Sequence, residues 1–286
     1  MNENLSGRYG EWAMVAGASE GIGAEFAKQL ADHGFNLVLI ARRESELAKK
    51  KAGLEKIVKV RTIAVDLSLK ESISGIINQT LDLEIGLFVY NAVFPLIGHF
   101  IDQPIEKHHE LIQVNISTPM TLVHHFGNIM VRRGKGAIIL MSSMAGQQGS
   151  AMVAHYAASK AYNTVLAEGL WYELKKRNVD VMAVIAGATS TPNYVNSKPE
   201  KTSMGTPAPL NPAAVVKEAL ARIGQNPSFI TGRVNRIASL FMKMFFSRKK
   251  AIEIISKSTT EMYPHYLSKK KTRISRAWFS KSFYGL

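Results

Sequence analysis

Tyr156 and Lys160 stand four residues apart in a stretch, Tyr156–Lys176, whose apolar residues recur at spacings of three and four and predict a helix. Both side chains then project from one face, a turn apart. The chemistry open to such a pair is proton transfer. A free tyrosine titrates near ~10, and an ammonium beside it favours the phenolate, bringing the acid towards working pH. The competing reading is an ordinary amphipathic helix with a surface lysine. His155 adjoins Tyr156, but one residue turns the helix by about 100°, so His155 is expected to be structural or substrate-facing rather than the base.

A second group lies near the start of the chain. Gly17-Ala18-Ser19-Glu20-Gly21-Ile22-Gly23 follows a short apolar run and leads into a predicted helix, Ile22–His33. Glycines there let the backbone approach a pyrophosphate held at the helix N-terminus; the alternative is a glycine turn of any β-α unit. The next apolar run ends in Ile40-Ala41-Arg42-Arg43. Ala41 has no carboxylate for a ribose 2′-hydroxyl, whereas Arg42 could make charge-assisted bonds to a 2′-phosphate. These residues favour NADP(H) over NAD(H). Glu20 works against that choice by charge, and two solvated arginines at a helix start are the competing reading.

Such groups need a frame to hold them. Strands are expected near Trp12–Gly17, Asn36–Ala41, Val58–Val65, Leu87–Asn91, Ala137–Ser142, Val179–Ile185 and Ser228–Thr231, with helical stretches between them. Runs such as FNLVLIA and GAIILM are apolar throughout, as in strands buried on both faces of a parallel sheet. Right-handed crossovers then give an α/β fold of the Rossmann type, doubly wound, with about seven parallel strands and helices on both faces. Gly34 falls where a helix stop is needed. The segment Ser190–Pro212 is rich in Ser, Thr, Pro and Asn, lacks periodicity, and is expected to be a mobile lid.

The chain has 286 residues, 46% of them hydrophobic, enough for one substantial core and incompatible with a disordered or fibrous class. No apolar run approaches the roughly 18 to 20 residues of a membrane span, and the opening MNENLSGRYGEW lacks a secretory core, so a cytosolic protein is expected. There is no cysteine, and the eight histidines show no H-E-x-x-H spacing; no metal site is expected. The net charge of +14 is uneven. Residues 233–286 carry 13 Lys/Arg against Glu253 and Glu261, or +11, leaving +3 for 1–232. The natural division is a catalytic, NADP(H)-binding domain over 1–232 and a basic, partly amphipathic helical extension over 233–286.

Taken in order, these motifs resemble the short-chain dehydrogenase/reductase superfamily over roughly residues 10 to 232. The family's T-G-x-x-x-G-x-G appears as Ala16-Gly17 through Gly23, its adenine-contacting acid as Asp66, and its N-N-A-G as Tyr90-Asn91-Ala92-Val93. Its catalytic asparagine matches Asn115. Its catalytic serine lies thirteen residues before the tyrosine and so matches Ser143, with Ser142 a neighbour. The P-G-x-x-x-T segment that contacts the nicotinamide appears as Ala186-Gly187 through Thr191. Three positions depart from the pattern: Ala16 for Thr, Val93 for Gly and Ala186 for Pro.

The resemblance implies an NADP(H)-dependent reductase of ketones, similar to those acting on acyl thioesters, steroids or other lipids, and a homo-oligomer. It implies that Tyr156 protonates the carbonyl oxygen while Ser143 fixes it. Lys160 would lower the tyrosine pKa and hold the nicotinamide ribose, and Asn115 would anchor a water linking Lys160 to solvent. For Asn115 the alternative is local bonding at a helix break. The cofactor set implied is Gly17, Ser19, Glu20, Gly21, Ile22, Gly23, Arg42, Asp66, Asn91, Lys160, Gly187 and Thr191. Phe94, Met144, Gln147, Met152, Val153 and Tyr194 are candidate walls of an apolar substrate pocket. The rival is a catalytically silent nucleotide-sensing or scaffold protein working through its basic tail. Specific nucleic-acid binding is not expected, because the tail has no recognition module.

Within that extension, Ile237, Leu240, Phe241, Met244 and Phe245 share one helical face, with Arg236 and Lys243 away from it and Arg248, Lys249 and Lys250 following. This face either packs on the sheet, on a second subunit or over the substrate cleft, or lies peripherally in a membrane interface.

Overall fold

The computed structural model describes residues 5–202 and 208–266. The elements run α1 (Leu5–Tyr9), β1 (Trp12–Ala16), α2 (Gly21–Asp32), β2 (Asn36–Ala41), α3 (Glu44–Leu54), β3 (Val60–Ala64), α4 (Glu71–Asn78) and β4 (Ile85–Tyr90). They continue with α5 (Ile105–Ile112), α6 (Thr118–Arg133), β5 (Gly136–Ser143), α7 (Ala154–Lys175), β6 (Val179–Ala186), α8 (Pro192–Asn196), α9 (Pro212–Leu220), β7 (Ser228–Ile230), α10 (Arg233–Phe245) and α11 (Arg248–Met262). The seven strands form one sheet in the order β3-β2-β1-β4-β5-β6-β7, parallel throughout. The order reverses between β1 and β4, and in open α/β sheets that reversal opens a crevice at the carboxyl ends of the strands.

The sheet is buried because its strands carry no polar side. Val15, Leu37, Leu39 and Val89 pack on one face against Phe26 and Leu30 of α2 and Val216 and Leu220 of α9. Phe88, Ile138 and Leu140 pack on the other against Leu122 and Phe126 of α6 and Ala167 of α7. Each fully buried aliphatic or aromatic side chain contributes about 1.5–3 kcal/mol relative to an exposed one. Local signals fix the helix ends: Pro119 sits in the first turn of α6, and Gly134 ends it at φ +72°. Asn211 Oδ1 accepts the Ala213 N–H at 2.8 Å to cap α9.

The expected strands are all present, with ends shifted by up to two residues. The expected lid, Ser190–Pro212, is not featureless: it holds α8, and its Leu210 bridges to Thr189 just before it, with 203–207 outside the described residues. No helix among the described residues is long and apolar enough to cross a membrane.

Candidate active site

Strand β5 delivers Ser143 to the carboxyl edge of the sheet. There the chain leaves extended geometry: Ser143 Oγ accepts the Ala145 N–H at 3.2 Å and opens a single 3₁₀ turn, Met144–Gln147. A Cβ on Gly146 would lie 2.8 Å from the Ala161 nitrogen, so glycine is what lets this turn pack directly on α7. Helix α7 thereby places Tyr156 beside Ser143, whose hydroxyl lies close enough to favour the phenolate. One turn on, Lys160 is buried; its Nζ donates to the Met141 carbonyl at 2.9 Å and lies 5.8 Å from the centre of the Tyr156 ring. Ser142 points the other way, its Oγ 2.7 Å from both the Lys160 carbonyl and Thr164 Oγ1, locking β5 to α7.

Burial lowers the Lys160 pKa to about 8. Burial also raises that of Tyr156, against a lowering by the Ser143 hydrogen bond and with a further increase from Tyr263 nearby. The expected lowering of the tyrosine pKa is therefore not the net result in this arrangement: the lysine's hydrogen bond goes to Met141, and enclosure outweighs the lowering influences. Tyr156 is held as a neutral phenol near neutral pH, the form that gives a proton away.

Asn115 sits in a π-helical turn, Gln113–Ser117, between α5 and α6, and is fully buried. Its Oδ1 accepts the Phe94 N–H at 2.8 Å, and its Nδ2 donates to the Phe94 carbonyl and to Ser159 Oγ, each at 3.1 Å. The side chain thus ties the loop after β4 to α7 and makes no described bond to Lys160. π-turns inside α-helices cluster at functional sites, and this one aims a carboxamide inward.

At the other end, Gly17 takes φ +82°, and a Cβ on it would lie 2.7 Å from the Ala92 backbone. Gly23 packs directly on the Gly17 carbonyl, which also accepts Asn91 Nδ2 at 3.0 Å. Glu20 precedes α2 without a side-chain cap, so the first N–H groups of that helix open into the crevice, as an anionic pyrophosphate requires. Glu20 is not left as a bare charge: Arg43 Nη2 lies 2.5 Å from its carboxylate and 3.4 Å from Ser19 Oγ. Arg42 Nη1 lies 3.8 Å from Asp66 Oδ2. Burial tends to raise the Asp66 pKa, but hydrogen bonds from Ser68 and the Arg42 charge outweigh it and hold the carboxyl below its usual range. On the far wall Gly187 packs against the Asn235 amide of α10, and Thr191 Oγ1 accepts the Tyr194 N–H at 3.2 Å to start α8 beside Gly21.

Gly17, Ser19, Glu20, Gly21, Ile22, Arg42, Asp66, Asn91, Ser143, Tyr156, Lys160, Gly187 and Thr191 all line one continuous cleft of about 1640 Å³, while Gly23 and Asn115 stand behind its wall. Phe94, Met144, Gln147, Val153 and Tyr194, the candidate walls of an apolar substrate pocket, line the same cleft. Met152 does not: it is buried at φ +66°, and its carbonyl accepts the Gly98 N–H at 2.7 Å. Its expected place in the pocket wall is corrected to a turn position. His155 turns from the cleft to His108, Nδ1 to Nδ1 at 2.8 Å. The sequence did not single out Arg43, or Met242, Ile255, Met262 and Tyr263 from α10, α11 and the residue after it, all of which line the cleft. Arg43 was visible as the second arginine of a pair, but nothing in the sequence marked its partner.

A parallel doubly wound sheet with a glycine-lined, uncapped helix N-terminus at its switch point and a Ser-Tyr-Lys array across the same crevice defines a dinucleotide-binding oxidoreductase. The sequence pattern of the short chain dehydrogenase family matches residues 11–202, and the chain belongs to that family. It is 34% identical over 239 residues to a 7beta-hydroxysteroid dehydrogenase of Clostridium sardiniense, covering 82% of this chain and 90% of that one. A solved structure from work on 7beta-hydroxysteroid dehydrogenase stereoselectivity superposes with a TM-score of 0.82 at 29% identity, covering 88% of this chain and 99% of that one. A short-chain dehydrogenase from Sphingobium yanoikuyae in complex with NADPH superposes with a TM-score of 0.71 at 27% identity, covering 80% of this chain and 92% of that one. The chain is thus an oxidoreductase of this family, with a site for a nicotinamide cofactor.

Proposed function

We propose that this protein reduces a ketone on a rigid, apolar, steroid- or lipid-like molecule, using NADPH. The observation that carries the reading is the Ser143-Tyr156-Lys160 array facing a cleft whose far half is walled by Phe94, Met144, Val153, Tyr194, Met242 and Ile255. The name of the Clostridium sardiniense relative supports the steroid class. For the cofactor, the glycines leave the space a pyrophosphate needs, and Ser19, Arg42 and Arg43 line the same cleft and offer donors to a 2′-phosphate. The NADPH complex of the Sphingobium yanoikuyae relative supports the same choice.

When bound, NADPH supplies a hydride to the carbonyl carbon. Ser143 Oγ and Tyr156 Oη converge on the carbonyl oxygen, polarising it and fixing the face presented. The phenol proton passes to that oxygen as the carbon is reduced, leaving an alcohol and a phenolate that takes a proton back from solvent. Lys160, charged below pH about 8, would stabilise that phenolate and hold the nicotinamide ribose. Asn115 keeps the Phe94 loop and α7 in register.

The test is NADPH consumption with a panel of ketosteroids and other apolar ketones, for the wild type and for Tyr156→Phe, which keeps the ring and removes the hydroxyl. Turnover in the variant is expected to fall about 10²–10⁴-fold with NADPH binding retained. Binding of NADPH by the wild type without turnover of any ketone would favour the silent scaffold instead.

A further inference from the structure

Helix α10 is turned inside out relative to a surface helix of ordinary design. Its apolar face, Val234, Ile237, Leu240, Phe241, Met244 and Phe245, points to solvent, with exposures from 51% at Phe241 to 69% at Ile237. Its polar face is the buried one: Asn235 and Ser239 turn inward, and Asn235 Nδ2 donates to the Thr231 carbonyl at 2.8 Å. The reason for the inversion lies in the cleft, because Asn235, Ala238 and Ser239 complete the cofactor and substrate walls. The result is a contiguous apolar ridge with the Phe241 and Phe245 rings 4.8 Å apart, the kind of patch that marks an interaction site.

We propose that this ridge seats the protein on an anionic lipid surface. The choice of occupant rests on charge. Among the described residues Arg233, Lys243, Arg248 and Lys249 have no ion-pair partner, and they flank the ridge. The sequence after residue 266 adds Lys269, Lys270, Lys271, Arg273, Arg276 and Lys281 with no acid. A second copy seated on the ridge would bring two such clusters together, whereas acidic headgroups neutralise them while the aromatic residues enter the acyl boundary. The proposal stands on α10 and its charges. If the reading of an apolar substrate also holds, docking gains a use, since Met242 and Lys243 of the same helix line the cleft and would place its mouth at the lipid.

The test is flotation of the full chain with vesicles of equimolar phosphatidylcholine and phosphatidylserine, against phosphatidylcholine alone. The wild type is expected to float with the acidic vesicles at low salt, to stay down with neutral ones, and to detach as ionic strength rises past about 0.15 M. Phe241→Ser with Phe245→Ser removes exposed rings only, so circular dichroism and NADPH binding should be kept while the bound fraction falls about tenfold. Failure of the wild type to float, or equal flotation of the double variant, would overturn the proposal. So would a wild-type sedimentation mass of two chains that drops to one in the double variant, which would assign the ridge to a second copy. Because flotation needs no ketone, its failure leaves the reductase reading untouched.

Discussion

Replacing Lys160 by methionine sets the energetics of the site against its chemistry. Lys160 is 4% exposed, its ammonium bonds to the Met141 carbonyl, and burial lowers its pKa from 10.5 to about 8. A lysine whose folded pKa lies below its unfolded one binds fewer protons in the native state between those values, so stability rises with pH across that window. The penalty is complete below pH about 8 and gone above pH 10.5. At about 1.4 kcal/mol per pH unit, the difference between 10.5 and about 8 makes it about 3.5 kcal/mol at neutral pH. Lys160→Met removes this cost but gives up the ammonium's hydrogen bond to Met141, worth about 1.5–3 kcal/mol. The cofactor-free variant should therefore be about 0.5–2 kcal/mol more stable than the wild type at pH 7, lose that advantage by pH 10.5, and turn over no ketone. Urea denaturation of both proteins at the two pH values reads this directly. A variant destabilised equally at both pH values would show that the charge is not held at a cost, and would refute the burial argument.

Removing Arg42 and Arg43 together, as Arg42→Ala with Arg43→Ala, should weaken NADPH about 10–100-fold and NADH little, read by cofactor fluorescence. Equal loss for both cofactors would detach these arginines from the 2′-phosphate. Asn115→Leu leaves the Phe94 N–H and carbonyl and the Ser159 hydroxyl short of partners; denaturation should show a loss of about 2 kcal/mol, with turnover reduced as the Phe94 loop drifts.

The reading from sequence succeeded where local pattern is sufficient. Apolar runs without alternation meant buried parallel strands, Gly17 to Gly23 marked the β-α turn, and the four-residue spacing placed Tyr156 and Lys160 on one face. The family resemblance, not local pattern, separated Ser143 from Ser142, a difference the structure expresses as one hydroxyl toward Tyr156 and the other into α7. What was not legible depends on distant partners. Nothing near Glu20 announces that Arg43, 23 residues on, neutralises it. Asn115 shows its role only when Phe94 and Ser159 come within reach, and Met152 reads as a pocket wall until its positive φ and its bond to Gly98 place it in a turn. Helix α10 teaches the same point from the other side. Periodicity locates an apolar stripe, but which face turns inward was decided by the cleft's need for Asn235 and Ser239, against the preference that usually buries such a stripe.

Hydride transfer with Tyr156 as proton donor is the central claim, and isotope transfer tests it most directly. NADPH carrying deuterium at both C4 positions is incubated with the protein and an apolar ketone, and the alcohol formed is weighed by mass spectrometry. The account predicts one deuterium on the carbinol carbon, formed about 10²–10⁴ times more slowly by Tyr156→Phe. Alcohol without deuterium, or equal rates from the two proteins, would contradict it.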